Sequence, residues 1–175
     1  MNEMQPATAA PRTVEEFMTH ACALEAEAAE RYTELAELMA AHNNPELAAL
    51  FAKLAHIEGL HRDQILERMG WPAPPDPSVC RWETPEGPET TDYGDLHYLM
   101  QPWHALKLAL HNERRAAEYF ERLAGGPVPA GIRSEAAEMA AEEREHVRLI
   151  LEWLGRVPEP EEDWDHDFDP PRAVD

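Results

Sequence analysis

The residues of this chain that could do chemistry together are four glutamates and two histidines, in the order Glu, Glu-x-x-His, Glu, Glu-x-x-His. They are Glu25, Glu58 and His61 in the first half of the chain, and Glu113, Glu143 and His146 in the second. Residues three apart on a helix share one face, about 5–6 Å apart, so the Glu and His of each motif can reach one metal ion. The spacing therefore predicts a site for two metal ions.

An internal repeat gives this pattern its weight, because a single Glu-x-x-His arises readily by chance in a chain with 35 acidic residues and 9 histidines. Laying Glu25 on Glu113 also matches neighbouring Ala, Leu and Glu residues in the two segments. Laying Glu58 on Glu143 brings the two histidines together as well. Both motifs coincide under the repeat, which indicates two related halves.

Composition limits both the size of the protein and its partners. A chain of 175 residues, 43% of them hydrophobic, can form one domain with a substantial core. The formal net charge of −20 at pH 7 argues against nucleic acid and anionic membranes as partners, because both would be repelled. Small cations would be attracted instead.

The cysteines and the absence of targeting signals in the sequence limit the expected metal sites and the expected cellular compartment. The chain has Cys22 and Cys80 but no Cys-x-x-Cys pair, so neither a disulfide framework nor a cysteine-ligated metal site is expected. Residues 1–12 contain no apolar run before a cleavage signal, and no stretch of 18 apolar residues occurs. We expect a soluble, unprocessed protein of the reducing cytoplasm.

Four long helices are predicted from the spacing of apolar residues and from start and stop signals. Thr13 followed by Glu16 is typical of a capping box, and Pro45 favours an early helical position. Gly70 and Gly125 indicate helix ends. The predicted ranges are 13–42, 45–70, from a start between 96 and 103 to 125, and 132–154.

The segment between the helix pairs, 71–95, contains six prolines, which exclude a regular helix. A connection this long is explained if it crosses the length of a bundle to join parallel neighbours. We therefore predict an all-α four-helix bundle over residues 13–155. A flexible segment, 1–12, would precede it, and an acidic, Pro-rich, disordered tail, 156–175, would follow it.

From Thr13 to Gly155 the sequence resembles the ferritin-like superfamily, close to its rubrerythrin and bacterioferritin branches. The resemblance implies a carboxylate-bridged centre with two iron ions per bundle, for which Mn or Zn could substitute. In the implied ligand set, Glu58 and Glu143 bridge the irons, Glu25 and Glu113 are terminal ligands, and His61 and His146 each bind one iron.

The resemblance also places an aromatic side chain over the site, seven residues after a glutamate ligand. This residue is Tyr32 in the first half and Phe120 in the second. Glu30 and Glu118 also repeat between the halves, so they fit either a solvated helix face or a role in holding a histidine ligand. Solvated faces are expected for the remaining acidic residues near the motifs, namely Glu27, Glu34, Glu138, Glu142 and Glu145.

Departures from the family patterns limit what the resemblance implies. Rubrerythrins carry a further glutamate where this chain has Ala116, so a ligand exchange that needs it is not expected. Bacterioferritins bind haem through a Met where this chain has Gly59, so no haem is expected. No rubredoxin-like four-cysteine domain is present, which calls for an external electron donor. The Pro-rich tail argues against the fifth helix of cage-forming ferritins.

The expected function is that of a di-iron oxidoreductase that reacts with O2 or H2O2, as a ferroxidase or a peroxide-reducing enzyme. Its partners would be Fe(II) and the oxidant, and the six ligands would carry the catalysis. Carboxylate and imidazole ligands suit Fe, Mn or Zn and leave positions open for a small oxidant. Burying four glutamates without metal is costly, so bound metal should stabilise the fold.

Two other functions would use the same residues. One is a di-iron hydroxylase of the quinone-modifying type, which needs an apolar channel to the metals. The other is a metal-binding or interaction bundle without turnover.

We also expect a homodimer, because C2 dimers are the commonest soluble assembly. Trp164 and Phe168 in the acidic tail could dock on a partner.

Overall fold

The computed structural model describes residues 10–76 and 100–161, which form four helices and no strand. The helices are α1 (Val14–Ala41), α2 (Pro45–Met69), α3 (Pro102–Gly125) and α4 (Ala130–Leu154). The predicted all-α four-helix bundle is confirmed, and each helix limit lies close to its prediction. Most of the predicted flexible N-terminus, the crossover and the tail lie outside the described residues.

Side chains of the predicted types cap the first two helices. The backbone N–H of Glu16 donates to Oγ1 of Thr13 over 3.1 Å, which satisfies one free donor at the start of α1. The Glu16 carboxylate accepts from the backbone N–H of Arg12 over 3.2 Å, so the capping box closes one residue earlier than predicted. At the start of α2, Oδ1 of Asn44 accepts from Leu47 N–H over 3.1 Å.

Gly70 ends α2 as predicted, and Pro102 begins α3 within the predicted range. Gly70 ends α2 with φ of 68°, a left-handed conformation that strains any residue with a Cβ atom. This turn lets the N–H of Trp71 donate to the carbonyl of Leu66 over 2.9 Å, so an end carbonyl keeps a partner. Pro102 begins α3, where its missing N–H costs no helical hydrogen bond.

The bundle is built from two helix pairs, in which α1 packs along α2 and α3 packs along α4. One apolar cluster joins the first turns of α1 and α4 to the last turns of α2 and α3, and it includes Phe17, Ile65, Phe120 and Ile132. The opposite ends meet in a second cluster, which includes Met39, Phe51, Leu106 and Ile150. Therefore α2 ends at one end of the bundle and α3 begins at the other.

The six predicted ligands occupy the middle of the bundle, between the two apolar clusters. Each lies near the midpoint of its helix or one to two turns beyond it, so the four helices present polar side chains at one level. Within the described ranges, no helix combines the length and apolarity that a bilayer span requires. The fold therefore places one polar layer between two apolar ends.

Candidate metal centre

The four predicted glutamate ligands are buried, although glutamate is among the residues least often found inside proteins. Exposure is 0% for Glu58 and Glu143, and 1% for Glu25 and Glu113. Each lies on the inward apolar stripe of its helix, so the helix packing that buries the stripe also buries the carboxylate. Buried carboxylates are costly unless they are paired or bind metal, which makes this layer a functional candidate.

Glu58 lies at the centre of the layer, between the two histidines. Its Oε1 atom is 2.9 Å from Nδ1 of His146, and its Oε2 atom is 3.4 Å from Nδ1 of His61. The two imidazole rings are nearly parallel, with a 9° angle between their planes and 6.1 Å between their centroids. A single carboxylate therefore faces both histidines, as a bridging ligand must.

The six side chains form two groups that share Glu58, and the ligand atoms within each group lie within 4.8 Å of one another. One group contains Glu58, Glu113, Glu143 and His146, and the other contains Glu25, Glu58 and His61. Nδ1 of His146 is 3.4 Å from Glu143 and 3.6 Å from Glu113. Nδ1 of His61 is 3.6 Å from Glu25. The structure thus brings together all six predicted ligands.

Several buried atoms of this layer have no hydrogen-bond partner among the described residues. They include both carboxylate oxygens of Glu58 and Glu143 and the Nδ1 atoms of His61 and His146. The nitrogens approach the oxygens without the alignment that a hydrogen bond needs. Such unsatisfied groups are rare in native structures and call for a specific explanation. A set of carboxylate oxygens and imidazole nitrogens suits iron, manganese or zinc.

The two proposed bridging carboxylates have pKa values shifted in opposite directions. Burial raises the pKa of Glu58, but His146 and His61 outweigh burial and lower that pKa to about 2. Burial raises the pKa of Glu143 well above its ordinary value, and the charges of Glu113 and Glu58 raise it further. Without metal, Glu58 is therefore charged at neutral pH, and Glu143 favours its protonated form.

Both histidines favour the protonated form when the metal is absent. Glu58 raises the pKa of His61 against the opposing effect of burial, with help from Glu142. Burial lowers the pKa of His146, but the neighbouring carboxylates outweigh burial and raise it. Since metal ions bind neutral imidazole and ionised carboxylate, metal binding must release protons from this layer.

Tyr32 lies against the site, where its position after Glu25 led us to expect an aromatic side chain. Its hydroxyl donates a hydrogen bond to Oε1 of Glu113, and its ring stacks on Phe51 with 5.9 Å between centroids. In the second half Phe120 packs edge-on against Phe17 instead, with centroids 6.2 Å apart. Because phenylalanine carries no hydroxyl, the two halves of the site differ at this position.

Glu30 and Glu118 lie on solvated helix faces, the first of the two alternatives expected for them. Both residues are exposed, and neither takes part in the contacts of the histidines among the described residues. Five residues past Glu25 or Glu113 the helix has turned about 140° beyond a full turn, which points these side chains outward. Their repetition reflects the shared solvated faces of the two halves.

Glu142 contacts the site, although its sequence position suggested only a solvated face. Its side chain is 47% exposed, yet its Oε2 atom lies 3.8 Å from Nδ1 of His61. The internal repeat offers no sign of this contact, because Ile57 stands opposite Glu142 when Glu58 is laid on Glu143. Only the packing of α4 beside α2 brings Glu142 to the histidine.

Comparison with known proteins finds a matching family profile and a similar fold. Residues 16–75, which include the first three predicted ligands, match the family profile of Rubrerythrin. The fold is similar to the crystal structure of an uncharacterized conserved protein from Magnetospirillum magnetotacticum MS-1, with a TM-score of 0.70 and 42% sequence identity. That match covers 85% of this chain and 98% of the other. No curated protein matches the sequence significantly.

The family profile and the structural match agree with the expected resemblance and with the confirmed helix pairs. The chain therefore belongs to the rubrerythrin family of ferritin-like proteins.

Proposed function

We propose that this protein is a di-iron carboxylate oxidoreductase that reacts with O2 or H2O2, as a ferroxidase or a peroxide-reducing enzyme. The observation that carries the proposal is the convergence of six predicted ligands into two groups that share Glu58. Membership of the rubrerythrin family supports iron as the metal. Two bound ferrous ions would supply the two electrons that reduction of a peroxide bond requires.

Each side chain has a distinct part in holding the two ions. Glu58 faces both histidines and would bridge the ions, with Glu143 as the second bridge. Glu25 and His61 would complete one position, and Glu113 and His146 the other. Four ionised carboxylates balance the charge of two divalent cations, so a loaded centre would remove the repulsion that raises the pKa of Glu143.

The surroundings of the centre favour a small oxidant over a large organic substrate. A cavity of about 190 Å³ reaches His61, and most of its lining side chains are charged or carry an amide. O2, H2O2 and Fe(II) are small enough for this space, and its carboxylates suit cations. A quinone would need a larger apolar channel, so the small volume of this cavity favours the oxidase or peroxidase function.

Stopped-flow oxidation of the iron-loaded protein tests the proposal. The full chain is loaded with Fe(II) without oxygen, the bound iron is counted, and O2 or H2O2 is then mixed in. We expect two irons per chain and rapid oxidation of both. Tight binding of two irons that stay ferrous would instead support a metal-binding bundle without turnover.

Two ligand variants complete the test. Glu58→Ala and His146→Ala should abolish binding of two ions, while circular dichroism shows helical content close to that of the wild type. Unchanged iron stoichiometry in both variants would contradict the proposed centre.

A separate reductant should restore the ferrous state after each turnover. The proposed working form is a homodimer in the cytoplasm.

A further inference from the structure

The cavity that reaches His61 lies between α2 and α4 and carries an excess of negative charge. Its lining includes the carboxylates Glu135, Glu138 and Glu142 against a single guanidinium, that of Arg68. Arg68 forms an ion pair with Glu135, which matches its charge locally. The cavity therefore attracts divalent cations toward the only proposed ligand that lines it, His61.

Glu142 stands where this cavity meets the centre. Its carboxylate is close to half exposed, while its Oε2 atom is 3.8 Å from Nδ1 of His61. Ligands of one such metal ion lie about 2.0–2.2 Å from it, so two ligand atoms of the same ion can be up to about 4.4 Å apart. The observed separation is compatible with both atoms binding a single ion.

The two metal positions differ in how deeply their ligands are buried. All four groups around the His146 position are buried, and the Tyr32 hydroxyl holds one of them, Glu113. At the other position His61 is only partly buried, with 17% of its side chain exposed. The repeat gives Ile57 as the counterpart of Glu142, so the His146 position has no equivalent acid.

We propose that Glu142 is an additional ligand of the His61 metal position, which receives divalent cations through the cavity between α2 and α4. A half-exposed side chain can turn outward to meet an ion and inward to deliver it beside His61, whereas the buried ligands are confined. The His61 position is then the one that exchanges metal with solvent, and the His146 position retains its ion. This assignment rests on the proposed two-metal centre.

Glu138 supplies a matched control. It lies one helix turn before Glu142, lines the same cavity and carries the same charge, but it is absent from the contacts of His61. Replacing either residue with Gln removes one negative charge from the cavity and keeps the side-chain length. If only Glu142→Gln weakens metal binding, Glu142 acts as a ligand. If both variants weaken it equally, the effect comes from the negative charge of the cavity.

Titration of the metal-free full chain with Co(II) alone, followed by visible absorption, tests the assignment. We expect the wild type and Glu138→Gln to bind two ions with similar spectra. In Glu142→Gln one ion should bind about 10- to 100-fold more weakly, the range typical when a partner of a metal site is lost. Its absorption bands should change, because they report the ligands directly, and its dissociation into a chelator should be faster.

Each outcome decides between the two proposals. Two ions bound by the wild type, with identical affinities and spectra in both variants, would overturn the role of Glu142 and leave the centre intact. Failure of the wild type to bind two ions would overturn both. Circular dichroism of each variant excludes loss of folding, which is not expected for an amide at a half-exposed position.

Discussion

Oε1 of Glu58 lies 2.9 Å from Nδ1 of His146, and this contact joins α2 of one helix pair to α4 of the other. The helices pack mainly within their pairs, so polar contacts across the middle of the bundle link the two halves at the site. When metal is absent, the ionised carboxylate and the imidazolium compensate each other. When metal is bound, the same two atoms are free to become ligands.

Loss of the Glu58 charge should weaken the metal-free fold as well as metal binding. In Glu58→Gln the buried His146 loses its nearest anion, and breaking a buried ion pair costs about 3–5 kcal/mol. Urea unfolding of the metal-free variant measures this loss. The exposed Glu67→Gln on the same helix is the control, and it should change the free energy of unfolding by no more than about 0.5 kcal/mol. Equal losses in the two variants would contradict the stabilising role of the pair.

The stability of the metal-free protein should be greatest between pH 4.5 and pH 6.5, the ordinary pKa values of Glu and His. The lowered pKa of Glu58 gives stability that is present above pH 4.5 and lost as the pH falls toward about 2. The raised pKa of His146 gives stability that is present below pH 6.5 and lost as the pH rises through the folded-state value.

Glu143 lowers the stability from pH 4.5 upward, because its carboxyl stays protonated in the folded protein while the unfolded chain ionises. The maximum should therefore lie at the acid end of this window. Thermal unfolding with a chelator present, followed across the pH range, measures the profile. A melting temperature that rises steadily from acid to alkaline pH would contradict these shifts.

Metal ions should stabilise the chain, and the gain should grow with pH. At a free concentration 100 times the dissociation constant, one bound ion adds about 2.7 kcal/mol to the free energy of unfolding. For a domain of this size that corresponds to a rise in melting temperature of about 5–10 °C. Because binding releases protons from Glu143 and the histidines, calorimetric heats in buffers of different ionisation enthalpy should differ. Identical heats would show that no proton leaves the site.

The Tyr32 hydroxyl should affect the metal site more than its size suggests. Tyr32→Phe removes the donor to Glu113, and hydrogen bonds to charged groups contribute about 1.5–3 kcal/mol. We expect lower stability and a shifted Co(II) spectrum. Tyr119→Phe is the control, since its hydroxyl is 3.2 Å from Nδ1 of the buried His20, outside the ligand groups. A spectrum that shifts equally in both variants would remove Tyr32 from the site.

Much of the fold could be read from the sequence, because its limits depend on local chemistry. Pro45 and Gly70 mark helix ends whatever packs around them, whereas the sequence left the start of α3 anywhere between 96 and 103. The inward position of Glu58 followed from the apolar residues spaced around it. The internal repeat then grouped the ligands, because two similar halves place similar side chains at one level.

The rest of the site depends on how separate helices approach each other. The residue pattern within a single helix does not predict those contacts. Glu142 reaches His61 across the space between α4 and α2, and no periodicity within α4 distinguishes it from its solvated neighbours. Glu30 repeats in the second half as Glu118, and both residues lie on an exposed face. Repetition identifies equivalent positions but not the direction in which their side chains point.

The polar layer between two apolar clusters has a consequence for how the protein opens. Each end is held by its own apolar contacts, whereas the middle layer without metal contains buried oxygens and nitrogens that have no hydrogen-bond partner among the described residues. Local opening of the metal-free bundle should therefore begin in this middle layer, while the apolar clusters at both ends stay packed. Cations bound in the middle layer would hold the four helices together there. The chemistry and the stability of the bundle would then depend on the same ions.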